Sequence, residues 1–307
     1  MVSGMQERPL YHYGQKSQMN LPHFPEFKLI GLEDQEYIQS AIDEYPSEAC
    51  EINFGNIFIW RNFERSKLTL VNDNLCILCE PPSEPAYFLQ PIGNCKIKET
   101  MKICLSFARR LSRIPESFAA RYCTDFRCEP DRDNFDYVHL SKDLIHLNGK
   151  KYDGKRNRIK KFERNYASKY IRLGREHLEN CRNLFEEWLK SKSPNDTGQG
   201  SQKDAILESL AYFEALRLVG GAVEVEGRLA AFSIGEKLNT DTAVIHIEIV
   251  NPAYEGLAQF INREFVKNEL SGYKYINREQ DIGVPGLHRA KMSYHPHHLI
   301  KKYNIWG

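Results

Sequence analysis

One order of elements occurs twice in this chain, and that repetition limits the folds open to it. In the first half, Lys67–Val71 and Leu75–Cys79 alternate as strands across Asn72-Asp73-Asn74, three residues suited to a hairpin turn. Ala86–Ile92 reads as a third strand, and a helix is expected over 97–112. There Ile97, Met101, Cys104, Ala108 and Leu111 recur at three- and four-residue steps. Phe118–Cys123 and Phe135–Leu140 read as further strands. The second half replays this order. Gly221–Val225 and Arg228–Gly235 pair across Glu226-Gly227, Ala243–Val250 is the third strand, a helix covers 255–270, and Tyr273–Ile276 is the closing strand. Two helices, 176–192 and 202–216, precede this second block and flank a Ser/Asn/Gly-rich loop at 193–201. Strands alternating with helices in two similar blocks predict an α/β (α+β) protein with mixed sheets. The expected organisation is a flexible tail over 1–20, one domain over 21–150 and a second over 151–307.

Composition narrows the class. With 307 residues, 41% hydrophobic and 27% charged, the chain can bury substantial cores, and its formal net charge of +1 means that any basic surface is local. Eight cysteines lie scattered without a framework. Residues 1–20 hold no apolar signal core, and no run reaches the ~18–20 apolar residues that cross a bilayer. A cytoplasmic protein with reduced thiols is expected. Cys76-x-x-Cys79 lies inside a strand pattern with no partner pair at zinc-site spacing, so it reads as a buried structural pair. Phe54–Arg61, rich in aromatics, reads as core.

Three stretches carry candidate chemistry. The first is the join between halves. Residues 150–175 hold eleven Lys or Arg against two acids, Asp153 and Glu163. A helix starting near Gly154 would bring backbone N–H groups together with Lys155, Arg156 and Arg158, an arrangement that favours phosphate; a solvated linker face is the other reading. Gly149-x-x-x-x-Gly154-Lys155 matches the front of a P-loop, but Arg156 stands where Ser or Thr would hold magnesium, which argues against an NTPase.

The second is Val250–Ala258, a strand-to-helix turn. Gly256 and Ala258 would let a helix N-terminus approach an anion, or would simply make the turn tight. By strand alternation His246, Glu248 and Val250 share one face, with Ile245, Ile247 and Ile249 on the other. Glu248 is a candidate base if partly buried, and a structural polar residue otherwise. The third stretch ends the closing strand. Asn277, Arg278, Glu279, Gln280 and Asp281 follow it without an apolar gap; Gly283, Pro285 and Gly286 turn the chain, and a short helix from Leu287 carries Arg289 and Lys291. In open α/β sheets ligands sit beyond the carboxyl ends of strands, so this polar run is a site candidate. His295, His297 and His298 are interrupted by Pro296 and lack a matched carboxylate or cysteine set, so no metal is expected.

The hairpin with the turn Val225-Glu-Gly-Arg228, the strand ending Val250-Asn-Pro and the following Gly-containing turn resemble the acyl-CoA N-acyltransferase (GNAT) fold. Two such halves in tandem are similar to aminoacyl-tRNA-dependent transferases of the Fem type. The likeness sharpens at Tyr45-Pro-Ser47 with Asn53–Trp60, at Leu147–Asn157, and at Asn277–Gly283 with Lys291-x-x-Tyr294-x-Pro296. Together these resemble soluble relatives of the phosphatidylglycerol lysyltransferase C-terminal domain. The resemblance implies two tandem GNAT-like domains that move an acyl or aminoacyl group from a carrier to an amine or hydroxyl on a small molecule or peptide. Gly256 and Ala258 match the small residues of the GNAT anion loop, whereas Ala253 stands where that loop carries Arg or Gln. This departure favours aminoacyl-tRNA over acyl-CoA as donor. Arg278, Glu279, Asp281 and Lys291 would line the reaction site, with Glu248 a possible base, and the basic join would hold tRNA phosphates. A non-catalytic GNAT-like module that binds RNA or another polyanion is the alternative.

Overall fold

The computed structural model describes residues 21–191 and 199–307, so the expected tail (1–20) and most of the expected loop at 193–201 lie outside the described residues. The strands in chain order are β1 (Lys28–Leu29), β2 (Lys67–Val71), β3 (Asn74–Cys79), β4 (Tyr87–Phe88), β5 (Arg110–Pro115), β6 (Arg127–Pro130), β7 (Asp136–Leu140), β8 (Ser168–Arg172), β9 (Val219–Val225), β10 (Arg228–Lys237), β11 (Thr242–Val250), β12 (Tyr275–Asn277), β13 (His298–Ile300) and β14 (Lys302–Trp306). The helices are α1 (Gln35–Glu44), α2 (Phe54–Glu64), α3 (Ile97–Ala108), α4 (Glu116–Tyr122), α5 (Ser141–His146), α6 (Asp153–Asn165), α7 (Leu178–Ser191), α8 (Gln199–Ala211), α9 (Leu257–Glu269) and α10 (Pro285–Met292).

The duplication is visible in the sheets. The first runs β1-β2-β3-β4-β5-β14-β6, and the second, read from its far edge, runs β8-β9-β10-β11-β12-β7-β13. Place by place the two orders correspond, with one exchange: the sixth place of each is filled by a strand from the other half of the chain. β14 lies antiparallel between β5 and β6, and β7 lies antiparallel between β12 and β13. A division at 150/151 therefore leaves β7 in the second sheet and the last strand in the first.

The two hairpins form as their turn residues predict. Asn72 and Asp73 (φ 48° and 62°) join β2 to β3, and Glu226 and Gly227 (φ 53° and 78°) join β9 to β10. Three sequence expectations are corrected. The apolar rhythm that carries helix 97–112 past its end is accidental: Arg109, at φ 61°, stops α3, and Leu111 and Ile114 are buried in β5. Phe118–Cys123 is accordingly not a strand. It belongs to α4, which turns Phe118 and Ala119 inward. The third strand of the first half shrinks to Tyr87–Phe88, because Pro85 and Pro91 on either side cannot donate to a ladder.

Three apolar clusters hold the layers together. One lies under α3 and α4 on the first sheet; a second joins α5, α6 and α9 to one face of the second sheet. The third is shared between the halves: Phe54 and Phe58 of α2 pack with Phe185 of α7, Leu210 of α8 and Phe232 of β10. Phe58 meets Tyr212 edge-on at 4.9 Å, and Arg61 pairs with Glu208 at 2.8 Å. The Phe54–Arg61 segment is thus core, as expected, and it is a helix wedged between lobes. Cys76 and Cys79 are both buried on opposite sides of β3, the first against Cys104 and the second against Ser66. Among the described residues no helix is long and apolar enough to cross a membrane.

One irregularity positions the site. Ile234 of β10 faces Ile247, but its neighbour Gly235 faces Ile245, so His246 is an extra residue on β11. This bulge overturns the simple alternation expected for the strand. Ile245 packs with α9, whereas Ile247 and Ile249 pack in the shared cluster, and His246 and Glu248 end up facing different partners. The bulge needs Gly235, since a Cβ there would run into the carbonyl of Val244. Gly235→Ala is expected to cost about 1–3 kcal/mol, read as a lower urea midpoint. An unchanged midpoint would mean that the strands can separate at no cost.

Candidate functional site

β11 and β12 run parallel, and they pair only where Thr242, Ala243 and Val244 meet Tyr275, Ile276 and Asn277. Beyond that point β11 continues to Val250, while the other bank turns away through Glu279 (φ 56°) and Ile282 (φ 47°). Side chains from both banks occupy the opening, and they fall into two groups.

The first group faces α2. His246 lies between two carboxylates, its Nδ1 2.7 Å from Glu279 Oε1 and its Nε2 2.8 Å from Glu236 Oε1. Burial opposes a charge on this ring, but the hydrogen bonds to Glu236 and Glu279 outweigh it and hold the pKa up at about 10. Asn56 of α2 donates to the same Glu279 oxygen at 3.1 Å, so Oε2 of Glu279 has no hydrogen-bond partner among the described residues. Glu236 in turn lies against Gly55, in the first turn of α2, where the unpaired amides of a helix start favour an anion. The local sequence explains this docking. Asn53 caps α2 by accepting from Gly55 N at 3.0 Å, and its amide donates to Lys237 O at 2.7 Å. Asn53, Gly55 and Asn56 thus attach the first lobe to the second at the opening.

The second group faces α9. Glu248 accepts from Asn262 Nδ2 at 3.2 Å and from Arg278 Nη2 at 3.5 Å. The Arg278 guanidinium sits 4.9 Å from the Tyr294 ring, and Lys155 Nζ lies 4.0 Å from the same ring while donating to Ser293 Oγ at 2.7 Å. Burial, reinforced by Arg278 and Arg158, lowers the Lys155 amine to about 8. Arg158, one turn on, is exposed. Gly256 (φ 91°) starts α9, and α6 crosses directly above it: a Cβ would meet the Arg158 carbonyl and Phe162. That crossing sets Lys155 and Arg158 beside the N-terminus of α9, where Ala258 lies half-buried in the first turn. Arg156 is occupied elsewhere. It donates to the carbonyls of Leu147 and Gly149 and to Asp153, closing the turn before α6.

Asp281 and Lys291 hold the bank itself. Asp281 is buried and accepts from Tyr137 Oη, from Gly283 N at 3.0 Å and from Arg132 at 3.4 Å, with His288 Nδ1 also at 3.0 Å. Against the effect of burial, these donors keep its carboxyl below the usual range. Lys291 Nζ donates to the carbonyls of Arg278 (2.6 Å) and Gln280 (2.5 Å), and burial lowers this amine to about 8. The sequence-predicted residues therefore separate into Glu279, Glu248 and Arg278 in the opening, Lys155 and Arg158 beside α9, and Asp281, Lys291 and Arg156 on backbone or loop contacts.

Other polar residues near the opening gave no sequence signal. Where the exchanged strands begin, Lys302 Nζ is fully buried 2.6 Å from Asp136 Oδ1 and 2.6 Å from Glu51 Oε2, with Cys50 Sγ at 3.6 Å. Asp136 also accepts from Cys50 N (3.0 Å) and Asn277 Nδ2 (2.9 Å), which ties the first lobe to the end of β12. Among the described residues Cys50, Glu51 and Asp136 form the one group with metal-ligand spacing, and the Lys302 ammonium already supplies its cation. In the first lobe the corresponding parallel pair, β4 and β5, meets only at Phe88 and Leu111, and the polar groups beyond it are paired with one another. Arg113, left-handed like Glu279 (φ 59°), is neutralised by Glu64 at 3.1 Å, to which Tyr87 Oη donates at 2.6 Å. The loop before α3 is closed by Asn74, whose side chain bonds both the amide (3.0 Å) and the carbonyl (2.6 Å) of Cys95.

Residues 42–306 match the family described as phosphatidylglycerol lysyltransferase, C-terminal. A conserved protein of unknown function from Bacteroides thetaiotaomicron has the same architecture, with 29% identity, a TM-score of 0.84, and coverage of 91% of this chain and 98% of that one. L-PGS from Bacillus licheniformis superposes with a TM-score of 0.63 at 17% identity over 89% of this chain and 91% of its own, a likeness of fold. An uncharacterized protein of Mycoplasmoides gallisepticum is 24% identical over 178 residues; the chain spans about half the length of that curated relative, 55%. The fold is the expected mixed α/β arrangement, two mixed sheets in which one order of strands recurs.

Proposed function

The chain belongs to the phosphatidylglycerol lysyltransferase C-terminal family, and from that premise we propose that it transfers an aminoacyl group from a charged tRNA to an amine or hydroxyl acceptor. The observation that carries this reading is the opening between β11 and β12, with cations on its α9 side and an incompletely bonded carboxylate, Glu279, on its α2 side. The donor's ester enters from the α9 side, where Lys155 and Arg158 meet its phosphates and Arg278 lies nearest the carbonyl. The acceptor approaches from the α2 side. Its nitrogen or oxygen attacks the ester carbon and forms the new amide or ester bond, and its proton passes to Glu279. The negative charge on the carbonyl oxygen is met by Arg278, and the bond to the ribose oxygen then breaks as that oxygen takes up the proton Glu279 had received. Glu279 is the favoured base because Asn56 and His246 fix its orientation, while Glu248 is engaged with Arg278 and Asn262. Lys291 and Asp281 act as positioning residues.

The test is incubation with a mixture of aminoacyl-tRNAs and acyl-CoAs at low salt, followed by mass spectrometry of what is retained and what is acylated. Retention of charged tRNA with transfer of its aminoacyl group supports the reading, and retention of neither class overturns it. Salt dependence adds a second check. Arg158→Ala is expected to reduce the slope of log affinity against log salt by about 0.7–0.9. Arg156→Ala should leave the slope unchanged and lower the thermal midpoint instead, because its guanidinium is spent on the 147–153 turn.

A further inference from the structure

His139 lies on β7 directly opposite Ile276, on the sheet face that carries α9, and is 1% exposed. One ring nitrogen is turned toward the backbone of Tyr294 without reaching hydrogen-bond geometry, and the other has no partner. A buried imidazole in that condition is uncommon, because each unmade hydrogen bond costs about 1–3 kcal/mol. The second such group stands close by: Arg278 Nη1 is also buried and unpartnered, although Nη2 of the same guanidinium reaches Glu248. Both face the ring of Tyr294, with centroid distances of 6.4 Å for His139 and 4.9 Å for the guanidinium carbon. Lys155 Nζ approaches the same ring at 4.0 Å.

We infer that Arg278 Nη1 and His139 form a buried subsite for one oxyanion, a phosphate or a carboxylate, borne by the substrate that enters from the α9 side. This rests on the proposed transfer reaction only for the identity of that substrate. The charge balance favours an anion. The groups acting directly on the imidazole are Arg278 after β12, Lys291 of α10 and His295 beyond it, all of which oppose its protonation; Lys155 of α6 and Glu248 of β11 lie around Tyr294, and Glu279 and Asp136 face Lys291. In the empty site burial, then Arg278, drives the imidazole pKa down to about 3. The ring is then neutral, with one N–H to donate, and a bound anion would remove the cationic field that opposes its protonation. Lys155 and Arg158 lie nearer the surface, so the site differs from the exposed basic strip.

Histidine-15N NMR of the full chain tests this, with the His139 signals identified by their loss in His139→Phe. Inorganic phosphate and acetate are titrated separately at ionic strength held constant with chloride. The expected result is a saturable displacement of both His139 ring nitrogens and a higher apparent pKa. Arg278→Lys should weaken it about tenfold, since an ammonium cannot serve Glu248 and the ligand together in the guanidinium's geometry. Displacement by phosphate alone assigns the site to a carrier phosphate, and displacement by acetate as well assigns it to a carboxylate-bearing substrate. Signals that do not move, or that move equally with chloride, overturn the inference. If His139 stays silent while aminoacyl transfer proceeds, only the subsite is lost. If it responds in a chain that transfers nothing, only the transfer reading is lost.

Discussion

Lys302→Met is expected to lower the unfolding free energy by about 3–5 kcal/mol and the thermal midpoint by about 5–8 °C. The ammonium is fully buried and is bonded to two carboxylates that are themselves buried, Glu51 and Asp136. Removing the cation leaves two charges in a medium that cannot solvate them, a larger penalty than the loss of two hydrogen bonds. Burial raises the Glu51 carboxyl, so part of the response of the variant will be proton uptake by that group. The variant should therefore be least unstable at low pH. Adding Glu51→Gln and Asp136→Asn to Lys302→Met should restore most of the midpoint, because the triple variant buries no net charge. A small effect of Lys302→Met alone would show that the cluster is not what joins the lobes. Transfer should fall together with stability, since Asp136 also accepts from Asn277, the last residue of β12 before the site.

That cluster marks the limit of what could be read from the residues alone. Turn chemistry and alternation revealed the duplicated order, both hairpins and the position of the polar run after β12, because each of these is local. The exchange of β7 and β14 is not local. Both are five-residue strands with apolar residues suited to either sheet, and only their partners decide which sheet they join. The bulge at His246 escaped for a related reason: one inserted residue inverts every later side chain, and the sequence carries no mark of it except Gly235 on the facing strand. Arg156 and Arg158 looked alike in a basic run, and only the fold of the 147–153 turn separates a structural clamp from an exposed cation. Around Asn53 the residues reveal an aromatic-rich core segment and neither the helix nor its cap. That Asn56 and Gly55 serve the other lobe's carboxylates follows only from α2 lying between the sheets.

Glu279→Gln is expected to slow transfer by about 10²–10⁴-fold, the range for loss of a positioned general base. It should change the fold little, because glutamine keeps an oxygen for Asn56 and His246. Glu248→Gln should slow the reaction less if Glu279 is the base, and the reverse ranking would move that role to Glu248. Removing the histidine acts differently. His246→Gln leaves the buried Glu236 and the half-buried Glu279 without their cation, a cost of about 3 kcal/mol or more. The pH dependence identifies the source of that cost. The folded pKa of His246, about 10, lies above its ordinary 6.5, so its stabilisation is complete below 6.5 and is lost as pH rises through 10. Lys155 and Lys291 have the opposite sign. Their folded pKa values, about 8, lie below the ordinary 10.5, so stability from them increases as pH rises from 8 to 10.5. The two effects overlap in the raw curve, so the diagnostic quantity is the difference in urea midpoint between the wild-type chain and His246→Gln. This difference should be largest near pH 6 and shrink toward pH 10. If it does not change with pH, His246 is neutral between Glu236 and Glu279, and the carboxylate proposed as base is not held by a cation.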